Sequence, residues 1–250
     1  MCFFICFIGD IMVISIKKAI LVIFALFFVT VTVFVTVKNE IIKTSATPPL
    51  SGKRIVIDAG HGGMDGGAVS KSGISEKDIN LKIAFYLKNY LEKNGAKVIM
   101  TRSNDRSLHT NEKVSVKSKK RSDLLARRNI ANNADADILI SIHLNFFEQS
   151  KYKGAQVFYE GQHKESSVLA QKIQSELKNG LDNNNNRQIA KISDSKIMYQ
   201  NLNLPAVITE CGFLSNPDEA EKLTQKDYQE KVALCISLGV IKYFGETKNA

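Results

Sequence analysis

Three short apolar runs rich in β-branched residues constrain the fold of this chain most: RIVID at Arg54–Asp58, ILISI at Ile138–Ile142 and AVIT at Ala206–Thr209. Each is bounded by loop or polar residues and is too short for a helix, so each reads as a strand buried on both faces. Lys97–Met100 and Ala155–Tyr159 add two more strands. Between them the period changes. Ile79, Ile83, Leu87 and Leu91 recur at helical spacing until Asn94-Gly95 stops the run, and Ser75 followed by Asp78 resembles a capping box at its start. Helices are also expected over Asp123–Asn132, Glu165–Asn179 and, as one or two elements, Gln225–Phe244. Strands alternating with helices predict an α/β domain, a mainly parallel twisted sheet with helices on both faces. Such sheets carry their chemistry beyond the carboxyl ends of the strands.

Ahead of this domain, Ala19–Val37 (AILVIFALFFVTVTVFVTV) contains no charged residue, and Lys17 and Lys18 precede it. An apolar helix of that length can cross a hydrocarbon core of about 30 Å, and positive charge on its N-terminal flank sends the remainder of the chain outward. The expected organisation is a signal-anchor or transmembrane segment over 1–37, a Pro- and Ser-containing linker over 38–52 and a catalytic domain over 53–250. Retention of the segment as a membrane anchor and its removal by cleavage are both open at this point. The balance of 34 Lys and Arg against 25 Asp and Glu leaves a net charge of +9, which suits an anionic partner such as a wall polymer. Nucleic acid is not expected, because the basic residues are scattered and the one basic run, Lys117–Arg121, reads as a solvated loop. Cys2 and Cys6 fall in the leading apolar segment and Cys211 and Cys235 in buried elements, so neither a disulfide nor a cysteine metal site is expected. The Asn183–Asn186 tract reads as a mobile turn.

The polar residues placed near strand ends are His61, His143 and Glu210, with Glu76 in the first turn of the helix after the first strand. Two histidines and two carboxylates are the donor types of a catalytic zinc site, in which three protein ligands leave a position open and a fourth group acts as base. The glycines of GHGGMDGG, Gly60–Gly67, would let backbone curl closely around an ion. The same loop has neither the GxGxxG spacing nor the GK[ST] ending of a phosphate cradle. Each residue has an ordinary alternative: His143 as a hydrogen-bonded core residue, Glu76 as a carboxylate complementing a helix N-terminus. Glu210 is the hardest to explain away, because a carboxylate after AVIT is costly to bury without a cation or a proton.

The blocks IVIDAGHGGMDGGA, SEKDINLKIA, TRSND, RRNIANNADADILISIHLN and LPAVITECGFLSNPDEAEKL, in that order over residues 53–245, resemble the zinc-dependent N-acetylmuramoyl-L-alanine amidases. The IHLN and GAQVFY blocks make the short, anchored spore-cortex branch of that family the most similar. The resemblance implies one zinc ion held by His61, Glu76 and His143, Glu210 as the catalytic carboxylate, and peptidoglycan as substrate. It places Arg102 and Arg127 in matching blocks, as substrate-binding or structural residues. Some members carry a long plugging insertion after the SIH strand, whereas here only Phe146–Lys153 separates that strand from GAQVFY. Control through an activating protein partner stays open. A zinc carboxypeptidase acting on the stem peptide and a wall-binding module without chemistry are the competing functions.

Overall fold

The computed structural model describes residues 19–34, 36, 47–111 and 113–247. It divides into two compact units, Met1–Thr47 and Pro48–Ala250. In the first, residues 19–34 form helix α1, whose side chains are exposed. Among the described residues no helix is long and apolar enough to cross a membrane. The expected span is therefore only partly seen: the described part of α1 is shorter than the roughly 20 residues a bilayer core requires, and Val35 and Val37 lie outside the described residues.

The second unit runs β1 (Arg54–Ala59), α2 (Glu76–Lys93), β2 (Lys97–Met100), α3 (Val116–Asn132), β3 (Ile138–Asn145), β4 (Gln156–Tyr159), α4 (Lys164–Leu181), β5 (Ala190–Lys191), β6 (Ala206–Phe213), α5 (Pro217–Thr224) and α6 (Lys226–Thr247). The strands make one sheet of order β2-β1-β3-β6-β4-β5. The block β2-β1-β3-β6 is parallel throughout, and β4 joins it antiparallel to β6, carrying β5 parallel to itself. Alternation along the strands splits the core in two. Ile55, Ile57, Ile138 and Ile140 face a cluster with residues of α2, α4 and α6, whereas Val56 and Leu139 face a smaller one with Ala131 of α3 and Met198 and Tyr199 of a short 3-10 turn. Helices thus cover both faces. Leu50, inside the stretch read as linker, is fully buried and its amide donates to Asn94 O at 2.9 Å.

Several local expectations shift for physical reasons. β3 and β6 run on through His143 and Glu210 instead of stopping before them, because period-2 pairing continues past the polar residue, with His143 opposite Glu210. α3 begins at Val116, so the basic run Lys117–Arg121 is a helix turn capped by Ser115, not a loop. Ser75 caps α2 without a side-chain bond to it, and its hydroxyl instead donates to Gly66 O at 2.9 Å. The asparagine tract is fastened by Asn185, buried, whose Nδ2 donates to Ala155 O at 2.8 Å. Cys211 and Cys235 are free and buried, and burial raises both thiols.

Asp58, 1% exposed at the end of β1, ties the layers together. It accepts from Thr101 Oγ1 after β2 and Ser141 Oγ in β3 at 2.6 Å each, and from Arg127 Nη1 of α3 at 2.7 Å. Burial works to raise its carboxyl, but Arg127, Ser141 and Thr101 outweigh it and hold the pKa at about 2, against an ordinary 3.8. The folded state therefore binds this proton more weakly than the unfolded chain. The resulting stabilisation, about 2 kcal/mol, is complete above the unfolded value and lost as pH falls through the folded one. Asp58→Asn leaves Arg127 without that charge partner and is expected to cost about 3–5 kcal/mol by urea denaturation at neutral pH. The same variant should lose less further stability than the parent on acidification; equal losses in both would remove Asp58 from this account.

Candidate metal centre

The first turn of α2 lies under the carboxyl ends of β1 and β3, so Glu76 rises between the loop after β1 and the end of β3. Its carboxylate is buried and shared: Oε1 lies 3.2 Å from His61 Nε2 and 3.1 Å from His143 Nδ1. Leu144 N donates to the same oxygen at 3.0 Å and Asn80 Nδ2 at 3.2 Å, while Ala68 N donates to Oε2 at 2.8 Å. Burial would raise this carboxyl, yet the two histidines outweigh it and hold it well below the usual range. One ligand atom from each of His61, Glu76 and His143 falls within a single 4.8 Å group, the geometry a metal ion needs.

The loop holding His61 is under tension. His61 has φ 62°, a left-handed conformation rare for a side chain of its size. Two arginines over-determine it. Arg127 Nη2 donates to His61 O at 2.6 Å, and Arg102 donates from Nε to Ala59 O at 2.8 Å and from Nη2 to Gly60 O at 3.0 Å. Both side chains are 1% exposed. The other donors of Arg127 go to Asp123, Asp58 and Ala59 O, and those of Arg102 to Lys77 O and Asn104 O. These bonds hold both arginines against backbone carbonyls around the loop, and Arg127, paired also with two carboxylates, lines the cavity beside His61 and His143.

Sequence reasoning overlooked Asp65, Asn80 and the reason for two of the glycines. Asp65 Oδ2 lies 3.0 Å from His61 Nδ1 and Lys120 Nζ 2.9 Å from Asp65 Oδ1, so Asp65 fixes the ring and leaves Nε2 facing Glu76. Burial opposes a charged His61, but Asp65 and Glu76 outweigh it and carry its pKa up to about 9. A cation seated among these groups would take the place of that proton. A Cβ on Gly60 would lie 2.4 Å from the His143 ring, and one on Gly67 2.5 Å from Glu76 Oε2. The signal for Asp65 was its place four residues after His61 in GHGGMD; Asn80 stands one turn after Glu76 on the same helix face.

Glu210 lies opposite His143 on β6, and both line a cavity of about 210 Å³ with His61. Burial raises its carboxyl, and Oε2 has no hydrogen-bond partner among the described residues. No residue of Phe146–Lys153 lines this cavity; Phe147 stacks on Phe213, with ring centroids 5.9 Å apart.

Comparison with known proteins settles what this arrangement belongs to. Residues 55–242 match the N-acetylmuramoyl-L-alanine amidase family model. The chain belongs to this amidase family. It is 43% identical over 198 residues to the germination-specific N-acetylmuramoyl-L-alanine amidase of Bacillus subtilis, covering 79% of this chain and 82% of that one. The CwlD amidase of Clostridioides difficile, solved in complex with the GerS lipoprotein, superposes with TM-score 0.75 at 44% identity, over 78% of this chain and all of that one. An N-acetylmuramoyl-L-alanine amidase of Clostridium difficile 630 gives 0.67 at 33% identity, over 77% and 97% of the two chains. The protein is accordingly an enzyme that hydrolyses the amide between N-acetylmuramic acid and L-alanine in peptidoglycan, and it acts on the wall outside the cytoplasm. This places the bond cut on the glycan side of the stem peptide, in place of a carboxypeptidase cut.

The amidase centre predicts its own sensitivity to single atoms. Gly67→Ala should weaken divalent metal binding at least about tenfold, the scale of disturbing the support of a ligand. Gly66→Ala, whose added Cβ comes no nearer than 3.5 Å to Ser75 Oγ, should retain it. Equilibrium dialysis with metal analysis distinguishes the two; equal metal content would show that the cradle does not shape the site.

Proposed function

We propose that this amidase is zinc-dependent, with His61, Glu76 and His143 as metal ligands and Glu210 as the general base. The observation that carries the reading is the shared, buried Glu76 carboxylate beneath two imidazoles, an anion that a cation seated between them would stabilise. Two histidines and one carboxylate are a catalytic zinc donor set that leaves a coordination position open. Held by these three residues, zinc would supply polarisation of the scissile carbonyl and a lowered pKa for the attacking water. Glu210, its Oε2 without a hydrogen-bond partner among the described residues and its carboxyl raised by burial, accepts a proton from the attacking water and hands it to the departing L-alanine nitrogen. Asp65 keeps the His61 ring turned, Arg127 holds the His61 carbonyl, and Arg102 holds the Gly60 carbonyl before it, which fixes His61 in its left-handed conformation.

We extend the proposal to the whole chain: an anchor over 1–37, a linker over 38–52 and the catalytic domain over 53–250, the anchor holding the enzyme to the membrane with its active site outside. Support comes from the charge-free Ala19–Val37 run behind Lys17 and Lys18. It also comes from α1, where the Thr30 and Thr32 hydroxyls donate back to Phe27 O and Phe28 O, so that neither presents an unpaired donor to lipid. The Bacillus subtilis relative's germination-specific name supports a role in spore-cortex maturation, and the Clostridioides difficile complex with a lipoprotein supports an activating protein partner.

Digestion of purified peptidoglycan by the full chain, followed by mass analysis, should release intact stem peptides with a free L-alanine amino terminus, and a zinc chelator should abolish it. Glu210→Gln should keep zinc and lose about 10²- to 10⁴-fold in turnover, whereas His61→Ala and His143→Ala should lose the metal. Normal turnover by Glu210→Gln would sink the proton-transfer role. Undiminished zinc in both histidine variants would sink the ligand set.

A further inference from the structure

We infer that Lys196 selects stem peptides whose second residue retains a free α-carboxylate. The inference deepens the amidase reading and rests on the placement of Glu210 at the leaving nitrogen. The catalytic cavity does not end at Glu210. Lys196 and Tyr199 line it and also line a second, polar cavity of about 150 Å³ between Glu160 and the segment Lys191–Gln200. The two cavities thus adjoin at Lys196 and Tyr199.

Charge in this passage is unevenly committed. Of the cationic side chains lining the catalytic cavity, Lys120 is paired with Asp65, and Arg127 with Asp58 and Asp123. In the second cavity Lys191 pairs with Asp194 at 3.2 Å. Lys196 has no ion pair or side-chain hydrogen bond among the described residues, although its charge reaches the Glu210 carboxyl. It is also well mounted. The next residues form the 3-10 turn Ile197–Tyr199, whose Met198 and Tyr199 are 3% and 7% exposed, so an exposed ammonium stands on an anchored base.

Substrate chemistry supplies the missing partner. Cleavage requires the L-alanine nitrogen beside Glu210, and we take the rest of the stem peptide to run along the side of the cavity that Lys196 lines. L-Alanine has no charge of its own. The following glutamate is joined through its γ-carboxyl, so its α-carboxylate is left free unless the wall is amidated at that position. That carboxylate is an anion within one residue of the scissile bond, on the side where Lys196 stands uncommitted among the described residues. A charge-assisted hydrogen bond of this type discriminates an acid from its neutral amide.

The test uses two peptidoglycan preparations that differ only in whether this α-carboxyl is free or amidated, with the full chain, Lys196→Ala and Lys196→Arg. The parent should cut the free acid about tenfold better in kcat/KM. Lys196→Ala should lose that preference, cutting both preparations with similar kcat/KM, and Lys196→Arg should restore most of it. Equal cleavage of both preparations by the parent, or an equal loss on both in Lys196→Ala, overturns the role of Lys196 and leaves the amidase reading standing. Failure of the zinc-loaded parent to cut either preparation, with and without the activating lipoprotein, overturns the amidase reading itself.

Discussion

A carboxylate buried beneath two histidines has to be met by positive charge, and the architecture around Glu76 is built to that requirement. Its oxygens are already taken by the Ala68 and Leu144 amides and by Asn80, so the carboxylate cannot swing away to water. The histidines reach it from two parallel neighbours, His61 from the loop after β1 and His143 from within β3. Register then does the rest. Because β6 pairs with β3 so that Glu210 stands opposite His143, the second carboxylate arrives beside the group without belonging to it. The proposed ligand His143 and the proposed base Glu210 thus stand one strand spacing apart, about 4.8 Å.

Holding His61 in that position costs backbone strain, and the surrounding ion pairs show how the fold meets the cost. Arg127 is buried between Asp58 and Asp123 and spends its remaining donors on Ala59 O and His61 O. A guanidinium in such a place stabilises little by itself, since desolvation offsets its attraction; its value lies in specifying one geometry. Arg102 does the same from the other side, clamping Ala59, Gly60 and the start of α2 through Lys77 O. The stability of the sheet and the placement of the first histidine are therefore one problem, solved at the end of β1.

Much of this was legible in the residues. The β-branched runs announced β1, β3 and β6, and the 3.6-residue recurrence of Ile79, Ile83, Leu87 and Leu91 announced α2, because these elements are buried deeply enough for periodicity to be clean. The polar residues interrupting that pattern marked the site. Less legible was anything set by a partner distant in sequence: that β3 and β6 continue through their ionisable residues, that β4 runs antiparallel, and that α3 starts seven residues earlier than its apolar face suggests, at Val116. The arginines illustrate the limit. Their occurrence in matching blocks could not tell a substrate clamp from a backbone clamp, since that depends on which carbonyls lie within reach of a folded guanidinium.

The measurement that bears most directly on the central claim is X-ray absorption at the zinc edge of the full chain loaded with zinc. The account predicts a first shell of nitrogen and oxygen alone at about 2.0–2.2 Å, with outer scattering from two imidazoles that falls to one in His143→Ala. Sulfur at about 2.3 Å would bring a cysteine into the site. That result, or imidazole scattering unchanged by loss of His143, would contradict the assignment of His61, Glu76 and His143 as the metal centre.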